Sequence, residues 1–198
     1  MKKIGLTGGM GSGKSTVAKI FEENDCPVYF ADSESKKITT TSPQVREKLT
    51  DKFGPGLYRN DTLDKPLLAS LIFGDNNKEN LNFVNSVIHP LVLEDFKLWT
   101  DERRYYPLVV IESAILFESG FNKSVDFIVN VSAPEPVRIQ RIMARENLSQ
   151  AKILDRIRNQ FSDATREQRS DYTIVNDGCS QLVPQVREVI RIVTGKQT

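Results

Sequence analysis

An α/β fold organised around a parallel β-sheet is predicted by three observations. Short apolar runs alternate with stretches of helical periodicity, the first run ends in a glycine-rich turn that opens a helix, and the last stretch carries an apolar stripe suited to covering a sheet. The chain has 198 residues, 39% apolar and 27% charged, enough to bury one sizeable core. Its 27 Lys and Arg against 26 Asp and Glu leave a net charge of +1. That balance gives no general electrostatic case for a nucleic-acid or membrane-surface partner.

The elements follow in order. Lys3–Thr7, with apolar Ile4 and Leu6, reads as the first strand, and Gly8–Gly13 breaks it. From Lys14 to about Asn24, Val17, Ile20 and Phe21 recur at i, i+3 and i+4, one face of a helix. Pro27–Phe30 is a second strand, ending at Ala31–Asp32. Leu108–Ile111 and Phe127–Val131 have the unbroken apolar character of strands buried on both faces, and Tyr172–Val175 is a shorter fifth. Leu182, Val186, Val189, Ile190 and Val193 form one stripe of the last helix.

Two stretches interrupt the alternation. Residues 33–106, mostly helical in pattern, are far more than one crossover helix needs and predict an inserted helical subdomain. Residues 134–169 hold eight Lys and Arg against five Asp and Glu, so positive charge concentrates after the fourth strand, and a helical lid is expected there. The core is then 1–32, 107–133 and 170–198. No apolar run approaches the length of a membrane span, and glycines with Lys14 stand where a signal peptide has its apolar centre. Cys26 and Cys179 lack a C-x-x-C partner and are expected to be reduced thiols of a cytoplasmic protein, a monomer or small homo-oligomer.

Gly8-Gly9-Met10-Gly11-Ser12-Gly13-Lys14-Ser15 satisfies G-x-x-x-x-G-K-S/T between a strand and a helix. Glycines let the backbone N–H groups of Gly9, Gly11, Ser12 and Gly13 turn inward around a phosphate, and the helix start adds further donors. Lys14 can reach the β- and γ-phosphates, the Ser15 hydroxyl can ligate Mg²⁺, and Thr16 is placed for the α-phosphate. The architecture expected is a P-loop three-layer sandwich with a five-stranded parallel sheet. A dinucleotide fingerprint is the structural rival, because Asp32 stands where a ribose-binding carboxylate would, but Lys14 takes the place of its last glycine. A GTPase would need N-K-x-D. The nearest strings, Asn122-Lys123-Ser124-Val125 and Asn77-Lys78-Glu79-Asn80, do not end in Asp, and Asp51-Lys52-Phe53-Gly54 matches D-x-x-G inside the insertion rather than at a strand end.

Bound ATP and Mg²⁺ make a kinase site when a carboxylate lies beside the γ-phosphate. Adjacent parallel strands share one crevice at their C-terminal ends, which makes Asp32 the candidate base; it could also cap a helix beginning near Ser33. Glu112, at the end of the third strand, is the analogous candidate for the Mg²⁺ water shell, with Asp32 beside it. Arg138, Arg141 and Arg145 recur at i, i+3 and i+7 on one helical face, and Ile153, Ile157 and Phe161 give the next helix an apolar side. Such a pair could close over ATP and set a guanidinium on the transferring group.

At these residues the chain resembles the dephospho-CoA kinases. The resemblance runs through Ile4-Gly5-Leu6-Thr7-Gly8-Gly9-Met10-Gly11-Ser12-Gly13-Lys14-Ser15-Thr16, Ala31-Asp32, Phe53-Gly54, Leu63-Asp64 with Lys65, Ile88-His89-Pro90, Leu116-Phe117-Glu118, Gln140-Arg141 with Arg145, and Asn176-x-Gly178. It implies transfer of the ATP γ-phosphate to the ribose 3′-hydroxyl of dephospho-CoA, the last step of coenzyme A synthesis. It makes Asp32 the base, Arg141 a phosphate contact beside Lys14, and Arg145 and Asn176 ATP contacts. Thr7, Lys65, His89 and Leu116 would lie on the acceptor side, in a groove between the insertion and the sheet. The chain departs from the family pattern at Phe30, where an acid is usual, at Lys65, where Arg is usual, and at Glu112-Ser113-Ala114-Ile115-Leu116, where Asp-x-Pro-Leu-Leu is usual. Lysine cannot form arginine's planar fork. Pro90 predicts that His89 precedes a helix start, in a structural or substrate-contact role. Other P-loop small-molecule kinases, acting on a nucleoside or its monophosphate, and a non-enzymatic nucleotide sensor are the alternatives.

Overall fold

The computed structural model describes residues 1–60, 62–73, 77–145 and 161–195. They form two compact units, one made of residues 1–30 with 100–198 and the other of residues 31–99. The first unit is built on β1 (Lys2–Gly8), β2 (Val28–Phe30), β5 (Leu108–Glu112), β6 (Phe127–Ser132) and β7 (Tyr172–Val175). All five pair in parallel, in the order β2-β5-β1-β6-β7. The apolar runs predict this placement, because central parallel strands must be covered on both faces: β5 is buried from end to end and β1 from Ile4 to Gly8.

α1 (Lys14–Glu23) and α8 (Leu182–Thr194) cover one face of the sheet. Val17, Ala18 and Phe21 from the first, and Val186 and Val189 from the second, bury against Ile4, Leu6, Val110, Val129 and Ile174. Each of the Val, Leu, Ile and Phe side chains among these stabilises the fold by about 1.5–3 kcal/mol. The glycine at position 5 faces the other way, where a Cβ would lie 2.8 Å from Leu116 Cδ2. Cys26 joins the core, and burial, reinforced by Asp25, pushes its thiol up to about 11, whereas Cys179 is exposed. α6 (Glu135–Arg145) follows β6, and α7 (Asp163–Gln168) precedes β7. No described helix is long and apolar enough to cross a membrane.

The second unit contains α2 (Ala31–Thr41), α3 (Pro43–Phe53), the two-stranded hairpin β3 (Tyr58–Arg59) and β4 (Thr62–Leu63), α4 (Lys65–Ile72) and most of α5 (Lys78–Glu102). Its helix starts follow capping chemistry. Ser42 accepts from Val45 N–H with Pro43 at the first turn, and Asp64 accepts from Leu67 N–H with Pro66 likewise.

Two residues stand differently from where their sequence context predicts. Asp32 does not cap a helix beginning near Ser33; α2 begins at Ala31, so Asp32 lies within its first turn, where the helix dipole favours its negative charge. His89 does not precede a helix start either, because Pro90 sits inside the 25-residue α5. A proline in a helix interior costs about 3 kcal/mol. Val84, Val87, Ile88, Val92 and Phe96 are all buried at helical spacing, and their combined burial outweighs that cost.

Burial lowers the His89 pKa below its usual value, so the fold favours the neutral ring. Its stabilising share is therefore complete above the unfolded-state pKa of about 6.5 and is lost as pH falls through the lower folded value. Thermal melts at pH 5 and pH 7.5 should show that loss, and His89→Gln should flatten it.

Candidate functional site

The phosphate-loop sequence does close into a loop at the C-terminal edge of β1. Ser12 N–H donates to Gly9 O (3.1 Å), and Thr16 N–H to Gly13 O (3.0 Å). Gly13, at φ +91°, is the residue before α1, and no side chain caps that helix. A helix start left without a side-chain acceptor is the arrangement that receives an anion. Lys14 is buried at the same end and donates from Nζ to Gly8 O at 2.9 Å. The Thr7 and Ser12 hydroxyls are buried with no hydrogen-bond partner among the described residues. Such groups are costly in a finished core, and they fit a site whose remaining acceptors and donors come with a ligand.

Distant segments hold the loop in shape. Asn176, just past β7, donates from Nδ2 to Ser12 O at 2.7 Å and accepts from Arg141 Nη2 at 3.1 Å. Arg141 Nη1 also reaches Ser12 O at 3.4 Å. A cavity of about 210 Å³ opens beside this contact, lined by Gly11, Gly13, Lys14, Ser15, Thr16, Arg141, Ile142 and Arg145. Its charged lining is wholly cationic, as a polyphosphate requires. A Cβ on Gly13 would overlap Asn176 Nδ2 and force an L-residue into left-handed backbone. Gly13→Ala is therefore expected to destabilise the protein by about 1–3 kcal/mol, measured as a shift in the urea midpoint.

A second cluster lies against Gly9. Arg138 Nη1 donates to Asp163 Oδ1 at 2.7 Å, and Arg166 Nη1 reaches the same oxygen at 3.5 Å. Arg166 Nη2 lies 3.9 Å from Glu118 Oε1, which accepts from Phe161 N–H. Burial lowers the Arg166 pKa, while Glu118 and then Asp163 oppose the shift.

The first unit thus brings together Gly9, Gly11, Ser12, Gly13, Lys14, Ser15, Thr16, Arg141, Arg145 and Asn176. Glu112 is buried at the end of β5, in register with Leu6 on one side and Phe30 on the other. Thr7 pairs with Asn130 of β6, and Leu116 packs beneath Gly5. Asp32, Lys65 and His89 belong to the second unit, at the second residue of α2, the first residue of α4 and within α5. Of the expected lid, Lys152, Ile153, Arg156, Ile157 and Arg158 lie outside the described residues. Sequence reading missed the pairing of Arg138 and Arg166 through Asp163. Ser162-Asp163 carries a helix-start signal, but a partner 25 residues away leaves no trace in spacing.

A sequence model of the family described as dephospho-CoA kinase matches residues 2–181 of this chain. A relative named dephospho-CoA kinase, from Bacteroides fragilis, is 42% identical over 194 residues, covering 98% of this chain and 94% of its own. Among solved structures, a Thermus thermophilus protein superposes with a TM-score of 0.81 at 30% identity, over 100% of this chain and 98% of the other. The dephospho-CoA kinase from Campylobacter jejuni does so with a TM-score of 0.68 at 24% identity, over 98% of each chain, a likeness of fold.

Proposed function

The chain belongs to the dephospho-CoA kinase family, which catalyses the final step of coenzyme A synthesis, and from that premise we propose how its residues divide the transfer of the ATP γ-phosphoryl group to the ribose 3′-hydroxyl of dephospho-CoA. The observation that carries the division is the uncapped start of α1 beneath a glycine turn, with buried Lys14 and two unsatisfied hydroxyls, rimmed by Arg141 and Arg145.

In this reading the N–H groups of Gly9, Gly11, Ser12 and Gly13 bind the β- and γ-phosphates, and Lys14 exchanges Gly8 O for phosphate oxygens. Thr16 meets the α-phosphate. Arg141, oriented by Asn176, neutralises charge on the transferring group, and Arg145 binds the nucleotide at the cavity mouth. Asp32 accepts the proton as the 3′-oxygen bonds to the γ-phosphorus and the bond to the β–γ bridging oxygen breaks, releasing ADP. Thr7, Lys65, His89 and Leu116 serve the acceptor side.

The described residues hold no group of three or more His, Cys, Asp or Glu that could bind a metal ion. The donors available at the loop fit Mg²⁺, a hard ion that keeps several waters and takes its other ligands from phosphate. Ser15 would hold it, with Glu112 and Asp32 as the acidic residues serving it, and when bound it would neutralise negative charge on the phosphates. A cytoplasmic monomer or small homo-oligomer belongs to the same reading.

ADP formation, followed with ATP and Mg²⁺ present, tests the assignment. Dephospho-CoA should stimulate turnover, and adenosine or AMP should not. Stimulation by AMP instead would transfer the protein to the nucleotide kinases. Binding of ATP with no acceptor effect would make it a sensor.

A further inference from the structure

We propose that Asp163 is the resident counter-anion of the phosphoryl site, holding Arg138 and Arg166 beside Gly9 until a phosphoryl oxygen of the nucleotide replaces its carboxylate. The inference rests on the kinase reading above and concerns how the two guanidinium groups are held ready for a phosphoryl group.

The cations and their anion differ sharply in exposure. The Arg138 and Arg166 side chains are each 2% exposed, whereas that of Asp163 is 49% exposed. The two cations are walled in by protein, and the anion that serves them has water behind it. Only the anion can leave.

One oxygen, Asp163 Oδ1, takes the hydrogen bonds of both guanidinium groups. Arg138 Nε, Arg166 Nε and Arg166 Nη2 are buried with no hydrogen-bond partner among the described residues. Glu118 does not relieve this, because its 3.9 Å separation from Arg166 Nη2 exceeds a hydrogen bond. Buried guanidinium donors that go unmet are expensive, and a phosphoryl group brings three acceptor oxygens where the carboxylate offers two.

A Cβ on Gly9 would overlap Arg138 Nη1 and lie 3.1 Å from Asp163 Oδ1, so the cluster rests directly on the phosphate loop. Asp163 is a positioning residue on this account. It keeps two like charges together in the nucleotide's absence, and its departure gives the incoming anion a preformed pair of cations. The competing view is that Asp163 merely starts α7, where its charge suits the helix dipole.

The two views differ in sign. Calorimetric titration with tripolyphosphate, and separately with Mg·ATP, should give tighter binding of tripolyphosphate to Asp163→Asn, by about fivefold, since a competing anion has been removed. Asp163→Glu, which retains the charge, should stay near wild type. A purely structural role predicts weaker or unchanged binding in Asp163→Asn, and either result overturns the proposal. If thermal melting shows that Asp163→Asn does not fold, Asp163→Ser, which retains a helix-starting side chain, carries the same expectation and the same refutation. Wild-type protein that binds neither tripolyphosphate nor Mg·ATP would sink the kinase reading as well. Wild-type binding without tightening in the variant sinks this inference alone.

Discussion

Lys14→Ala should lower kcat with dephospho-CoA by about 10²–10³-fold, the scale seen when one preorganised cation or donor is removed from developing transition-state charge. Lys14 is buried at the start of α1, and its ammonium is satisfied by Gly8 O. That bond holds it within the loop, and its exchange for phosphate oxygens leaves the charge in place on the transferring group. The alanine variant also leaves the Gly8 carbonyl without that donor, a loss expected to cost about 1–3 kcal/mol of stability at most. Steady-state kinetics alongside a thermal melt separates the two effects. A folded Lys14→Ala protein with kcat within threefold of wild type would remove Lys14 from phosphoryl transfer.

Asp32→Asn should lower kcat by about 10²–10⁴-fold while the affinity for Mg·ATP stays within a few-fold, because a positioned base acts on the acceptor's proton and not on the donor nucleotide. Asparagine keeps the shape of the side chain and its place in the first turn of α2, so the fold should survive. The discriminating measurement is the split between turnover and nucleotide affinity. Equal losses in both would mark Asp32 as a nucleotide contact, and undiminished turnover would exclude it as the base.

The sheet was legible in the sequence because its signals are local. Five apolar runs, each broken by glycine or a helical stripe, gave five strands, and Val186 and Val189 of the last helix bury on the core as their spacing requires. The phosphate loop was legible for the same reason, since its glycines and Lys14 are contiguous. Two kinds of information were not. Pro90 reads locally as a boundary, but the long apolar stripe from Val84 to Phe96 overrides it, and only tertiary burial decides that contest. The cation network was hidden for a different reason. Arg138 reads as one of three cations on a lid-helix face and Arg166 as one charge of a basic stretch, while their burial depends on Asp163 and on the space left at Gly9.

The staple between Asn176 and Ser12 joins residues 164 positions apart, and it bears on biogenesis. A ribosome releases the glycine turn long before the residue that shapes it. A nascent chain carrying the whole consensus, but not yet its final strand, has the letters of a nucleotide site without the site. Stalled intermediates truncated before residue 172 should therefore fail to load ATP, and the competence to do so should appear abruptly once Asn176 has emerged and folded.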